Sequence, residues 1–185
     1  MPVKCVNVVN SVVVTSPIGD IRIEGCTTGL HSVKQCDEDD TTFKPDKTRT
    51  VAIKHGWSCN CRPVQECVDW LKQYFSYRIA DINIPPLCSS VWKKDTFRGK
   101  ALSLLPSAAP LGSTISYKHL AHLCGNDSAC RAAGGAMSNN PISFLIPCHR
   151  VINSQGQTGN YSHGKKNNIK KWLLAFETGA ETCEK

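Results

Sequence analysis

The hydrophobic pattern of this chain changes period near its middle, which limits it to folds with a sheet in one half and helices in the other. Residues 5–15 are rich in valine, and Ile21-Arg22-Ile23-Glu24 alternates apolar with charged, the period of a half-buried strand. Ser16-Pro17-Ile18-Gly19-Asp20 between them reads as a hairpin turn. Gly29 breaks the second run, and residues 30–34 read as a further strand. Residues 36–60, which include Asp37-Glu38-Asp39-Asp40, read as a solvated loop. From Pro63 the spacing turns helical: Val64, Cys67, Val68, Leu71, Tyr74 and Phe75 make one apolar stripe over residues 63–77. Ile84-Pro85-Pro86 reads as a linker.

Beyond the linker, Val91, Trp92, Phe97, Ala101, Leu104 and Leu105 predict a helix ending at Pro106. Ser116 is placed to cap a helix over 117–124, and Asn126 to cap another over 127–138. Two short helices joined by a turn containing Gly125 form a helix-turn-helix pattern. The second contains Gly134-Gly135, each of which weakens a helix by about 1 kcal/mol but permits close backbone approach. The approaching partner is either a nucleic-acid groove or a neighbouring helix. A last helix over 166–177 turns Ile169, Trp172, Leu173 and Phe176 inward and ends on Glu177. A carboxylate there opposes the helix dipole unless it has a partner, and a histidine would serve. The expected fold is α+β in two domains: residues 1–91 an antiparallel β-sheet with a helix, residues 92–185 helical with the helix-turn-helix.

Charge follows the same division. Residues 1–91 carry 10 Lys and Arg against 10 Asp and Glu; residues 92–185 carry 12 against 5, so the whole net charge of +7 lies in the second half. A basic half beside a neutral one suggests an anionic partner, with nucleic acid the leading candidate over simple solubility. No apolar run near the start is long enough for a signal segment or a membrane span. Eleven cysteines, an odd number with no secretory segment, favour a reduced protein with a metal site, a reactive thiol or both.

One cysteine stands apart. Pro147-Cys148-His149-Arg150-Val151-Ile152 puts a thiol between a proline, which stiffens the backbone, and a candidate base. The imidazole and the Arg150 charge are both of the kind that favours thiolate. Spacing alone does not separate a nucleophile from a buried structural cysteine.

The set of motifs around Cys148 resembles the O6-alkylguanine-DNA alkyltransferases, the methylated-DNA–protein-cysteine methyltransferases, in their vertebrate-type animal branch. Pro147 to Val151 resembles their acceptor motif, and Arg131-Ala132-Ala133-Gly134-Gly135-Ala136-Met137-Ser138-Asn139-Asn140-Pro141 their recognition helix and hinge. Gly159-Asn160-Tyr161-Ser162 resembles the substrate loop, and Lys171-Trp172-Leu173-Leu174-Ala175-Phe176-Glu177 the final helix. Ser16-Pro17-Ile18-Gly19 and the stretch from Gly25-Cys26 to His31 resemble the N-terminal half.

The resemblance implies irreversible transfer of an alkyl group from guanine O6 in double-stranded DNA to Cys148, once per chain, with the nucleotide flipped out of the stack. It implies Glu177 orienting His149, His149 taking the Cys148 proton through a water, Asn140 bracing the turn, and Tyr117 pressing a phosphate and protonating the guanine. Arg131 would fill the vacated space. Tyr117, Ala129, Arg131, Ser138 and Arg150 would meet DNA in the minor groove. Met137 and Tyr161 would flank the base, and Val151 and Ser162 would read its edge. A structural zinc ion would take Cys5, Cys26 and His31, with Cys88 in place of the family's histidine, because thiolate is as good a ligand. Cys59-Asn60-Cys61 is a weaker rival pair. No cofactor is implied for the chemistry. The protein would be a monomer working in the nucleus, with no membrane partner, and cooperative assembly on DNA is left open. Ser138 stands where a basic residue often adds a phosphate contact, which implies weaker DNA binding; Ser143 replaces a proline and His163 a glycine at the pocket mouth, which puts the acceptance of bulky alkyl groups in question. The competing functions are a lesion sensor without transfer, which would lack the acceptor cysteine, a helix-turn-helix regulator, and a cysteine hydrolase with an oxyanion hole.

Overall fold

Val12 and Val14 on one strand, and Ile21 and Ile23 on the next, are buried while Arg22 between them is exposed, so the period-two pattern is realised as a one-sided sheet. The computed structural model describes residues 5, 8–36, 41, 43–55, 61–76 and 83–180. These form two units, one of residues 5, 8–36, 44–55, 61–76, 83–92 and 141–143, the other of residues 41, 43, 93–140 and 144–180.

In the first unit, β1 (Asn10–Val14), β2 (Ile21–Cys26) and β3 (Gly29–Gln35) form an antiparallel meander. The short β4 (Ile53–His55) pairs with the free edge of β1, giving the order β3-β2-β1-β4. β4 lies within residues 36–60, whose sequence predicts a loop, because three exposed residues carry no alternation to detect. Cys5, Val8 and Val9 lie outside β1, and the two valines are exposed. Helix α1 (Arg62–Phe75) carries Pro63 in its first turn and lies against the sheet, with Val64, Cys67, Val68, Trp70, Leu71 and Tyr74 buried.

In the second unit, α2 (Phe97–Ala108) begins at Thr96, whose Oγ1 accepts from the Gly99 amide at 3.0 Å, so Val91 and Trp92 precede the helix. It runs two residues past Pro106: the proline lies in the last turn, and Ala109 N still reaches Leu105 O at 2.9 Å. Strand β5 (Ile115–Ser116) leads directly into α3 (Tyr117–Leu123), with Ser116 Oγ accepting from His119 N at 3.0 Å as the cap. The next helix, α4, spans Cys130–Ser138, three residues shorter than expected at its start. Asn126 does not cap it; its side chain closes a local turn onto Ser128 N at 3.1 Å. Strand β6 (Val151–Ile152) pairs in parallel with β5, and α5 spans Asn167–Thr178. That two-residue ladder ties the backbone just after Cys148 to the N-terminus of α3, where Tyr117 sits. Among the described residues no helix is long and apolar enough to cross a membrane.

Candidate active site and metal-binding cluster

Cys148 sits on a stiff turn, as its sequence neighbours predict. Pro147 adopts φ −80°, ψ 64°, an inverse γ-turn in which Cys148 N reaches Ile146 O at 2.8 Å. One turn of 3-10 helix, Cys148–Arg150, follows before β6. The thiol is buried, and Asn140 Nδ2 donates to both Ile146 O at 2.8 Å and Cys148 Sγ at 3.1 Å. The Tyr161 hydroxyl lies 3.7 Å from the sulfur.

Behind the thiol is a buried charge cluster. His149 Nε2 lies 2.7 Å from Glu177 Oε1, and both side chains are almost fully enclosed. Arg150 grips the same carboxylate, Nε to Oε2 at 2.7 Å and Nη2 to Oε1 at 2.9 Å, and spends Nη1 on Ala109 O at 2.8 Å. Burial acts to raise the Glu177 carboxyl, but His149 and Arg150 outweigh it and hold it at about 2. Burial pushes His149 down, against the pull of Glu177. An ionised carboxylate only accepts hydrogen bonds, so the shared proton sits on His149 Nε2. Nδ1 is then a bare acceptor, buried and without a hydrogen-bond partner among the described residues.

Two expectations are corrected here. Arg150 is not a DNA contact: it is 7% exposed and its guanidinium is committed to Glu177 and Ala109. Nor do His149 and Arg150 make Cys148 a standing thiolate. Burial raises the thiol above its usual range, against the lowering influence of Asn140, Tyr161 and Lys170.

The remaining residues of the expected pocket fall in the same unit. Met137, Val151 and Tyr161 are buried, and Tyr117 is half-buried at the start of α3. Burial, then the neighbouring Cys148 and Cys130, push the Tyr117 phenol up, so it keeps its proton at neutral pH. Ser162 and His163 adopt φ 48° and 59°, the left-handed region that favours glycine, and Tyr161 N is pinned by Asn167 Oδ1 at 2.8 Å. His163 thus holds a glycine-type backbone with a side chain attached.

On α4, Ala133, Ala136 and Met137 face inward, while Arg131 is exposed and Ala129 and Ser138 are half-exposed. A Cβ added to Gly134 or Gly135 would meet nothing within 4 Å. The paired glycines therefore do not serve helix packing; they face open space.

Sequence reasoning missed Lys170. It is fully buried on α5, donating from Nζ to Val151 O at 2.7 Å and to Thr158 O, with the Tyr117 and Tyr161 rings 5.8 and 5.9 Å away. Burial drops its ammonium to about 8. The signal was available: Lys170 lies between Ile169 and Trp172, inside the apolar stripe. Its hold on Val151 O leaves that carbonyl one lone pair for any further donor.

In the first unit, the ligand atoms of Cys5, Cys26, His31 and Cys88 all lie within 4.8 Å of one another. Gly29 makes this possible, since a Cβ there would stand 2.4 Å from Cys88 N, where the chain bonds to Leu30 through Leu30 N to Pro86 O at 2.8 Å and Cys88 N to Leu30 O at 3.0 Å. Thr28 Oγ1 lies 3.0 Å from Cys26 Sγ and 3.5 Å from Cys88 Sγ. Burial acts to raise the Cys26 thiol, but the Thr28 hydrogen bonds help hold it at about 5. His31 Nε2 is buried in the cluster without a hydrogen bond of normal geometry. Three ionisable sulfurs and one imidazole at this spacing fit a tetrahedral divalent ion. Of the rival pair, Cys59 lies outside the described residues, and Cys61 is buried at the start of α1.

The geometry defines a class: a two-part α+β protein in which a cysteine, a histidine and a carboxylate stand in one unit with a helix-turn-helix. Residues 97–179 match the description 6-O-methylguanine DNA methyltransferase, DNA binding domain, and residues 11–87 match 6-O-methylguanine DNA methyltransferase, ribonuclease-like domain. The methylated-DNA–protein-cysteine methyltransferase of Rattus norvegicus is 39% identical, over 89% of this chain and 80% of its own; that of Homo sapiens is 38% identical, over 88% and 77%. The crystal structure of Mycobacterium tuberculosis OGT in complex with DNA superposes with a TM-score of 0.69 at 27% identity, over 91% of this chain and 92% of that one. The chain belongs to the 6-O-methylguanine DNA methyltransferase family.

Proposed function

We propose that this protein repairs DNA by moving an alkyl group, methyl first, from guanine O6 to Cys148, and that each chain does so once. The observation that carries this reading is the buried thiol next in the chain to a buried imidazole, one of whose nitrogens is fixed on a carboxylate while the other has no hydrogen-bond partner among the described residues. The Cys148 proton passes through a water to His149 Nδ1. The sulfur gives its electron pair to the alkyl carbon, the carbon–O6 bond breaks, and the freed pair returns to the guanine. Tyr117 supplies that guanine with a proton and regains one from His149 through solvent. The product is a thioether, and among the described residues no group beside it is suited to cleave a carbon–sulfur bond. The step gains from a soft nucleophile already positioned, and from a base whose ring is held in place by its hydrogen bond to Glu177.

DNA is the partner. α4 offers it an exposed Arg131 and a surface of bare glycine, which suits the minor groove and a vacated base position. Binding then follows phosphate charge more than sequence and weakens with salt. Met137, Tyr161, Val151 and Ser162 hold the flipped base, and the protein works as a monomer in the nucleus. Cys5, Cys26, His31 and Cys88 hold one zinc ion, which when bound cross-links the residue-5 segment, the β2–β3 hairpin and the chain at residue 88; the alkyl transfer itself uses no cofactor.

The test is peptide mass analysis after mixing the protein with duplex containing O6-methylguanine. A gain of one methylene on the peptide carrying Cys148, with guanine restored in the DNA, supports the reading. Restored guanine with unmodified Cys148, or no change in either, contradicts it.

A further inference from the structure

The buried cluster behind Cys148 contains one more charge than the proton relay needs. His149 and Glu177 alone would make a base and its partner. Arg150 adds a cation that shares Glu177 Oε1 with His149, at 2.9 Å, and closes on Oε2 at 2.7 Å. It is held there by a third bond, to Ala109 O at the end of α2. Arg150 therefore has no part in reaching substrate. What it can do is act on Glu177.

An enclosed carboxylate with only a histidine beside it draws a proton onto that histidine, because the resulting ion pair removes an uncompensated buried charge. The imidazolium so formed has no lone pair to offer a thiol. A fixed guanidinium changes this balance. With Arg150 paired to it, Glu177 is already neutralised, and a second cation on His149 would be repelled. The groups facing His149 are Glu177 and Lys170 from α5 and Arg150 and Cys148 from its own turn, with Tyr161 against the Cys148 sulfur. Of these charges only Glu177 favours a resting imidazolium, and Arg150 spends it.

We propose that Arg150 is a positioning residue of the acceptor site: by gripping Glu177 it keeps His149 neutral, with Nε2–H on the carboxylate and a bare Nδ1 ready to receive the Cys148 proton. This rests on the reading of Cys148 as the alkyl acceptor.

The test is nitrogen-15 NMR of the histidine side chains in the unreacted full-length protein, with His149 assigned by His149→Gln. In the wild type His149 should be neutral at pH 7 with its proton on Nε2. In Arg150→Gln its titration midpoint should rise by about one pH unit or more, and the acid limb of the transfer rate should move with it. Arg150→Lys should keep the midpoint close to that of the wild type. A wild-type His149 found charged at neutral pH, or protonated on Nδ1, overturns the proposal without any variant. So does an Arg150→Gln midpoint equal to that of the wild type. If Arg150→Gln does not fold, the wild-type tautomer and Arg150→Lys decide. A wild type that transfers nothing while His149 behaves as stated would end the acceptor reading and leave the Arg150 assignment standing.

Discussion

The Asn140 amide lies 3.1 Å from Cys148 Sγ and 2.8 Å from Ile146 O, so one side chain holds both the nucleophile and the backbone that presents it. Asn140→Ala leaves Ile146 O with the Cys148 amide as its remaining donor among the described residues, and a forming thiolate without the Asn140 one. The donor to a charged group is worth about 1.5–3 kcal/mol, which is about a 10- to 100-fold loss in the transfer rate. Rapid-mixing kinetics at saturating DNA check it. Unchanged kinetics would show that the amide serves the turn alone.

Stability should fall with acid, and the sign follows from the two groups behind the thiol. His149 titrates lower in the folded state than in the unfolded chain. The unfolded chain therefore binds the extra proton first, and stability drops as pH falls through the unfolded value of about 6.5, by up to about 1.4 kcal/mol per unit. Glu177, held at about 2, adds a second loss as pH falls below the ordinary carboxylate range toward that value. Urea midpoints between neutral and acid pH measure both, and His149→Gln should remove the first part of the slope.

The bare glycine surface of α4 predicts opposite effects on folding and binding. Neither glycine has a positive φ, and a new Cβ meets nothing. Gly135→Ala should therefore stabilise the fold by about 0.5–1 kcal/mol while weakening binding to duplex DNA several-fold. Thermal melts and binding titrations on the same sample separate the two. Equal or tighter DNA binding would move the interface off this surface.

The metal cluster predicts three sulfur ligands. Cobalt substitution should show sulfur-to-metal charge-transfer absorption for three thiolates in the wild type and for two in Cys88→His, both with the metal retained. Stripping the metal should lower the melting temperature. Two thiolates in the wild type would remove Cys88 from the site.

Lys170 should prove structural and electrostatic at once. Lys170→Met removes a buried donor from the Val151 and Thr158 carbonyls and takes a positive charge from the neighbourhood of Cys148. A stability loss of about 1–3 kcal/mol per abandoned carbonyl is expected, together with a slower transfer. Denaturation and kinetics of the one variant test both.

Much of this was legible in the chain. Alternation placed β2, the apolar stripe placed α1, and Ser116 capped α3 as its position implied, because these are local signals. The Cys5, Cys26, His31 and Cys88 cluster followed from the resemblance, and the structure brings the four together. Arg150 was misplaced because a charge beside a nucleophile reads as a contact for DNA until its partner is known. That partner, Glu177, is on another helix. β4 was invisible for a related reason: an exposed edge strand of three residues is made by its neighbour β1, not by its own pattern.

The most direct measurement is the count of labelled methyl groups moved from guanine O6 in excess duplex to protein, beside Cys148→Ser. The account predicts a plateau at one methyl per chain and none in the variant. Label climbing past one per chain, or persisting in Cys148→Ser, would contradict it.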